Sequence, residues 1–106
     1  MGKFIYGVTA TSVDIEDRTL AHLRIAIMTK LRRAEPFMFD VETGDGTGHR
    51  SFWMHPSVAM QFHFYGSRSP QINRAWIDEM MLAANGPGGL VIMPEPPESR
   101  GGVETA

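Results

Sequence analysis

The stretch DRTLAHLRIAIMTKLRRAEPFMFDVE, residues 17–42, decides the fold class because its hydrophobic period changes partway along. Up to Arg33, apolar residues recur every three or four positions, as they do on one face of an amphipathic helix. After Pro36, which ends that helix, they recur at every second position, as in a strand buried on one side. The helical stripe is Leu20, Leu23, Ile27 and Leu31, and the alternating set is Phe37, Phe39 and Val41. This change of period predicts an α+β domain.

The flanking sequence extends the prediction to the order ββαβββαβ, with two helices packed against a mainly antiparallel sheet. The predicted strands are 3–9, 13–16, 37–42, 51–54, 60–65 and 89–93, and the predicted helices are 17–33 and 69–84. We expect the strand at 60–65 to continue a meander with the two strands before it. Asp17 and Ser69 are expected to cap the helices, because their side-chain oxygens can accept from the free amides of a first turn.

Length and composition predict one domain over residues 1–94 and a disordered tail over 95–106. The chain has 106 residues, 42% of them hydrophobic and 21% charged, which is the usual composition of a single globular domain. The segment that begins at Pro94 is rich in proline, glycine and glutamate, and it has little apolar surface to bury.

The same composition favours a cytoplasmic protein that does not enter membranes. Cysteine is absent, which fits a reducing compartment and excludes a thiol nucleophile or a zinc-thiolate site. No apolar run approaches the roughly 18 residues that span a bilayer, and the N-terminus lacks the pattern of a signal peptide. A net charge of −2 argues against coating nucleic acid by bulk electrostatics.

The first predicted helix carries a basic face opposite its apolar stripe. That face gathers Arg18, His22, Thr29, Arg32 and Arg33, and no acid of the helix lies on it. A solvated helix face usually mixes charges of both signs to gain pairs three or four residues apart. This face therefore predicts contact with nucleic acid or an acidic protein surface. The structural alternative is that its arginines complement the dipole at the helix C-terminus.

A second candidate binding site lies at the start of the second predicted helix. Its residues are Ser67, Arg68, Ser69, Asn73 and Arg74. The free amides of a helix that begins at Ser69 attract a phosphate or a carboxylate, although a plain helix cap is the alternative. Asn73 falls within the apolar arc of that helix, so it must either bond to neighbouring backbone or face a pocket or partner. Trp76 lies at the centre of the arc and is predicted to be core.

Neither a metal nor a cofactor is predicted. His49, His55 and His63 could be grouped with three nearby acids, but their spacing matches no ligand motif. Those acids are Asp40, Glu42 and Asp45. An enzyme is not favoured either, because the sequence contains no phosphate loop, no nucleophile elbow and no dinucleotide fingerprint.

Several motifs together resemble a small actinobacterial family whose members are commonly labelled ATP-dependent DNA ligases. The motifs are FIYG at 4–7, DRTLAHL at 17–23, KLRR at 30–33, SFW at 51–53, and the stretch from FYGSR at 64–68 to Trp76-Ile77. The resemblance covers about the first 95 positions and implies a shared fold in a bacterial cytosol. Ligases of that class form a lysyl adenylate on the motif Lys-x-Asp-Gly. The only lysines here are Lys3, followed by Phe-Ile-Tyr, and Lys30, followed by Leu-Arg-Arg, so neither matches that motif. The resemblance therefore supplies no catalytic residue.

Three functions remain open from the sequence. The first is a non-enzymatic module that contacts nucleic acid or an acidic protein through the basic helix face. The second is a nucleotide- or anion-binding domain, or a ligase accessory, that uses the helix start at Ser69. The third is a structural homo-oligomer, for instance a homodimer, formed through a strand edge or through the side chains of Met80, Met81 and Leu82.

Overall fold

The computed structural model describes residues 1–42, 46 and 48–98. Its elements, in chain order, are β1 (Gly2–Tyr6), β2 (Thr11–Ile15), α1 (Asp17–Arg32), β3 (Phe37–Glu42), β4 (His49–Met54), β5 (Met60–His63), α2 (Arg74–Asn85) and β6 (Leu90–Val91). This order confirms the predicted α+β class and the ββαβββαβ succession. No helix among the described residues combines the length and the apolar character needed to cross a membrane.

The strands form two three-stranded sheets, where the sequence predicted one. The first sheet has the order β2-β1-β5 and the second has the order β4-β3-β6. The predicted meander is therefore wrong at its third strand, because β5 pairs with β1 and not with β4. This pairing sets Phe62 opposite Phe4, with ring centroids 5.5 Å apart. Alternation along a strand shows which side chains point inward, but it does not specify the neighbouring strand.

The core lies between the two sheets and the two helices. Phe4 of β1 is fully buried and meets Phe39 and Phe52 of the second sheet edge to face, with centroids 5.6 and 5.7 Å apart. The apolar stripe of α1 is buried as predicted, and Trp76 of α2 is only 4% exposed. The predictions that Trp76 and the Leu/Ile stripe are core are confirmed.

Strand β6 has two residues where the sequence predicted five, and it runs parallel to β3. Gly89, just before it, has φ +77, and a Cβ there would lie 2.7 Å from the carbonyl oxygen of Met38. Only glycine accommodates both the left-handed conformation and this close approach. Gly89 therefore allows β6 to come close enough to pair with β3.

The helix caps differ from the prediction. Helix α2 begins at Arg74, so Ser69 and Pro70 are not helical; Asn73 is the N-cap, and its Oδ1 accepts from the Ala75 amide at 3.1 Å. Asp17 does not cap α1, whose N-cap Glu16 makes no side-chain cap bond. The Asp17 carboxylate instead accepts from the Gly66 and Tyr65 amides at 2.7 and 3.3 Å. These amides, Gly66 first, lower the pKa of Asp17.

The described residues extend to 98, four residues past the predicted domain boundary at residue 94. Glu95 and Pro96, the first residues of the predicted tail, bond to side chains of α1 and of the α2 cap. Residues 99–106 of that tail lie outside the described part of the chain. Residues 94–98, which we call the C-terminal segment, are therefore part of the domain surface beside both helices.

Candidate interaction surface

The residues predicted to bind a partner divide into three groups in the structure. Arg18, His22 and Asn73 form bonds with one another and with the C-terminal segment. Arg32, Ser67, Arg68 and Ser69 line an open depression beside α1. Arg33 and Arg74 are exposed and lie outside that depression. Their roles in binding stay predictions, but their surroundings differ in ways that the sequence does not show.

Arg18 is held by the C-terminal segment. Its Nε and Nη2 donate to the two carboxylate oxygens of Glu95 at 2.9 and 2.6 Å, and its Nη1 donates to the Gln71 carbonyl at 2.8 Å. A bidentate pair of this kind satisfies both the geometry and the charge of the guanidinium. The basic face of α1 is therefore neutralised at its N-terminal end by an acid that arrives from another part of the chain.

His22 was predicted on the exposed basic face, but it is fully buried. Its Nε2 accepts from the backbone N–H of Asn73 at 2.8 Å, and its Nδ1 lies 2.7 Å from the backbone carbonyl oxygen of Arg18. Since a carbonyl only accepts, Nδ1 carries the proton, and the ring is the neutral Nδ1 tautomer. The ring also packs on Trp76 with centroids 4.6 Å apart. These contacts join α1 to the cap of α2.

Asn73 connects this arrangement to the C-terminal segment. Its Nδ2 donates to Glu95 Oε2 and to the Pro96 carbonyl, each at 2.9 Å, and the side chain is 2% exposed. Bonds from Arg18, then from Asn73, lower the pKa of Glu95 to about 2. We call Arg18, His22, Asn73, Trp76 and Glu95 the clasp, because together they tie α1, α2 and the C-terminal segment. The structural role predicted for Asn73, a bond to nearby backbone, is confirmed.

The open depression runs along α1 from the loop after β5 to the loop before it, and we call it the groove. It consists of three adjoining hollows of about 270, 300 and 340 Å³. Arg24 and Ile25 are shared by the first two hollows, and Met28 and Arg32 by the last two. Its remaining lining is Ala21, Thr29, Leu31, Pro56, Val58, Met60, Phe64, Gly66, Ser67, Arg68, Ser69, Pro70 and Ile72.

Three arginines, Arg24, Arg32 and Arg68, are exposed along the groove, and none of its described lining residues is acidic. The guanidinium of Arg24 lies 5.4 Å from the centroid of the Phe64 ring, which orients it along the groove. Arg32 and Arg68 form no ion pair with the described residues. The groove thus combines an apolar floor with cations that no acid in the described part of the chain neutralises.

Arg24 is the groove arginine that was not among the residues predicted from the sequence to bind a partner. It lies four residues before Met28 and eight before Arg32, so all three fall on one side of α1. That spacing was a usable signal, but the side belongs to the boundary between the apolar and polar faces. Which part of such a boundary remains open depends on where β5 lies, and sequence periodicity does not report this.

The acids and histidines considered as a metal site do not come together as one group in the described structure. Asp40, Glu42 and His49 line a cleft of about 510 Å³ together with Asp14, whereas His55 bonds to Ser57. His63 is on the other sheet, and Asp45 lies outside the described residues. Within residues 1–42, 46 and 48–98, no three histidine, aspartate or glutamate side chains are placed so that they could hold one metal ion.

The structure defines the class of protein as an α+β domain of two three-stranded sheets and two helices. Its C-terminal segment bonds to α1 and to the cap of α2. The chain belongs to the family described as Domain of unknown function (DUF7882), whose model matches residues 1–95. The matched region ends at Glu95, the last residue of the clasp. No match to the chain was found among curated proteins or solved structures.

Proposed function

We propose that the chain is a binding module that holds an acidic protein surface in the groove. The observation that supports this proposal is the set of three exposed arginines on an apolar floor without a lining carboxylate. An ordinary solvated face would mix both signs, and isolated surface arginines would not share a hollow with Ile25, Met28 and Ile72. Both features together match a partner that offers carboxylates beside apolar side chains.

The groove favours an acidic protein over nucleic acid. Three arginines spread among apolar and uncharged polar side chains neutralise few phosphates, and the chain as a whole carries a charge of −2. Binding to nucleic acid generally uses a larger basic surface and exposed aromatic rings on which bases stack. Phe64, the aromatic ring in the groove, is half-buried and already covered by Arg24.

The helix-start site for a nucleotide or anion and the side-chain route to a homo-oligomer have lost part of their basis, whereas the strand-edge route to a homo-oligomer stays open. The nucleotide- or anion-binding alternative depended on helix amides at Ser69, but α2 begins at Arg74 and its cap is occupied by Asn73 and His22. Of the side chains proposed for a homo-oligomer, Met80 is fully buried and Leu82 is 73% exposed. Leu82 is too small a surface to support an oligomer by itself.

The test uses two variants with the same change in charge. The groove variant is Arg24→Gln/Arg32→Gln/Arg68→Gln, and the control is Arg33→Gln/Arg50→Gln/Arg74→Gln, which removes three exposed arginines outside the groove. The probe is the capped peptide Glu-Thr-Val-Thr-Glu-Thr-Val-Thr, and binding is followed by amide shifts in NMR spectra. We expect the wild type and the control to bind and the groove variant to lose binding.

Three results would contradict the proposal. They are the absence of shifts with peptide at about 1 mM, equal binding by the groove and control variants, and equal binding of the same peptide with Gln in place of Glu. A single-stranded DNA of about 15 nucleotides provides the comparison with nucleic acid. Binding of that DNA in preference to the peptide, with a steep loss on adding salt, would show that the partner is nucleic acid instead.

A further inference from the structure

Strand β5, which borders the groove, is an edge strand. Its sheet has the order β2-β1-β5, so one side of β5 pairs with β1 and no described strand pairs with the other. Unpaired N–H and C=O groups on such an edge are a template for a further strand. Edge strands of natural proteins are usually protected by charge, proline or a covering element, so an open edge beside a candidate binding surface is informative.

The register shows which backbone groups are free. The Gly7 amide donates to the Ala59 carbonyl at 2.9 Å, which makes Gly7 and Ala59 a hydrogen-bonded antiparallel pair. Because bonded and non-bonded pairs alternate, Gln61 and His63 also turn their backbone groups toward β1. Met60 and Phe62 therefore turn their N–H and C=O groups away from β1. No described residue bonds to the Phe62 amide or carbonyl.

This edge borders the cations and the apolar floor of the groove. Met60 lines the groove at one end of β5, and Phe64 lines it just past the other end. The other two long edges differ. β2 presents Asp14, which is paired with Lys3, and on β4 the Trp53 carbonyl accepts the Tyr6 hydroxyl. The edge of β5 thus combines free backbone groups with groove arginines that no described acid pairs with.

We propose that the acidic partner enters the groove as an extended segment that pairs with β5 as an added strand; this inference rests on the proposed function. Strand addition uses main-chain hydrogen bonds for affinity and alternate side chains for specificity. Every second side chain of the segment faces α1, where carboxylates meet Arg24 and Arg32 and apolar side chains meet Ile25 and Met28. The occupant is thus an extended segment in which every second residue faces α1, and these α1-facing residues are acidic and apolar in turn.

The first test compares two N-methylated forms of the same peptide. In one form only the Thr amides are methylated, and in the other only the Glu and Val amides are methylated. Since alternate residues of a strand bond to opposite edges, each form blocks one edge of the peptide. We expect one form to bind like the parent peptide and the other to lose binding. Equal binding by both forms, or equal loss by both, would overturn the strand pairing.

The second test is amide hydrogen exchange of the full chain. In the free protein the Phe62 amide should exchange faster than those of Gln61 and His63, which are bonded to β1. With free peptide at ten times its Kd, exchange at Phe62 should slow about tenfold, because only the unbound fraction exchanges. An unchanged Phe62 rate alongside arginine-dependent binding would overturn strand addition and leave the proposed function standing. Loss of all peptide binding would instead remove the proposed function itself.

Discussion

The clasp and the groove both use arginines of α1, but the two regions treat those arginines differently. Arg18 is bonded on three of its nitrogens to Glu95 and Gln71, whereas Arg32, on the same helix, meets no described acid. The difference arises because the described part of the C-terminal segment meets α1 at its N-terminal end, where Glu95 bonds to Arg18. The comparison shows that a basic helix face is not one surface: one part of it is bonded within the fold, and another part meets no described acid.

Replacing Trp76 with Ala should have the largest effect, because this ring is the apolar part of the clasp. Its removal leaves a cavity beside His22 and loses the bond from Nε1 to the Met93 carbonyl. We expect the free energy of unfolding to fall by about 3–5 kcal/mol, measured by denaturant titration. Leu82→Ala on the exposed side of α2 is the control, with a change of about 0.5 kcal/mol or less. If the Trp76→Ala variant were as stable as the wild type, the assignment of Trp76 and the clasp to the core would be wrong.

Replacing Asn73 with Ala should cost about 2–3 kcal/mol, because it removes the cap of α2 and the donor to Glu95 at a buried position. Asn73→Asp sharpens the test. It keeps the capping oxygen but places a second carboxylate against Glu95. If the side chain serves only as a cap, Asp should preserve stability; if it serves the clasp, Asp should destabilise nearly as much as Ala. Thermal melting of the three proteins distinguishes these outcomes.

The clasp should also make the free energy of unfolding depend on pH, through Glu95. The pKa of Glu95 is lowered from 4.5 to about 2 in the folded chain, so the folded state holds the ionised form more strongly than the unfolded state does. This contribution is complete above about pH 5 and is lost as the pH falls through about 2. The melting temperatures of wild type and Glu95→Gln should therefore differ most near neutrality and converge in acid. Glu98→Gln is the matched control; a constant difference across this range would contradict the assignment.

The smallest effects compare the two regions directly. Arg18→Gln should destabilise the chain by about 1 kcal/mol, because its ion pair with Glu95 is partly exposed. Arg32→Gln should change stability by about 0.5 kcal/mol or less and should weaken peptide binding instead. Equal stability effects for the two variants, measured by denaturant titration, would show that the clasp and the groove do not divide the work as proposed.

The sequence by itself determined the elements and their inward faces. The helical stripe of α1, the alternation in β3 and the burial of Trp76 follow from periods of 3.6 and 2, which depend on neighbouring residues only. Even where the sequence placed a helix start at Ser69, the capping chemistry was reasonable. A different residue, Asn73, is the cap. Its backbone N–H donates to Nε2 of His22, which is 51 positions away in the chain.

The tertiary structure decided which strands pair with one another and which charged side chains meet. Nothing in the local pattern of residues 60–65 specifies β1 over β4 as the neighbour of β5, since alternation is satisfied by either. Likewise, a wheel drawn on α1 cannot show that Glu95 returns to neutralise Arg18 and that no described acid returns to Arg32. The physical reason is that periodicity specifies which face of an element is apolar, whereas pairing, burial of a polar group and charge neutralisation depend on residues brought together from distant parts of the chain.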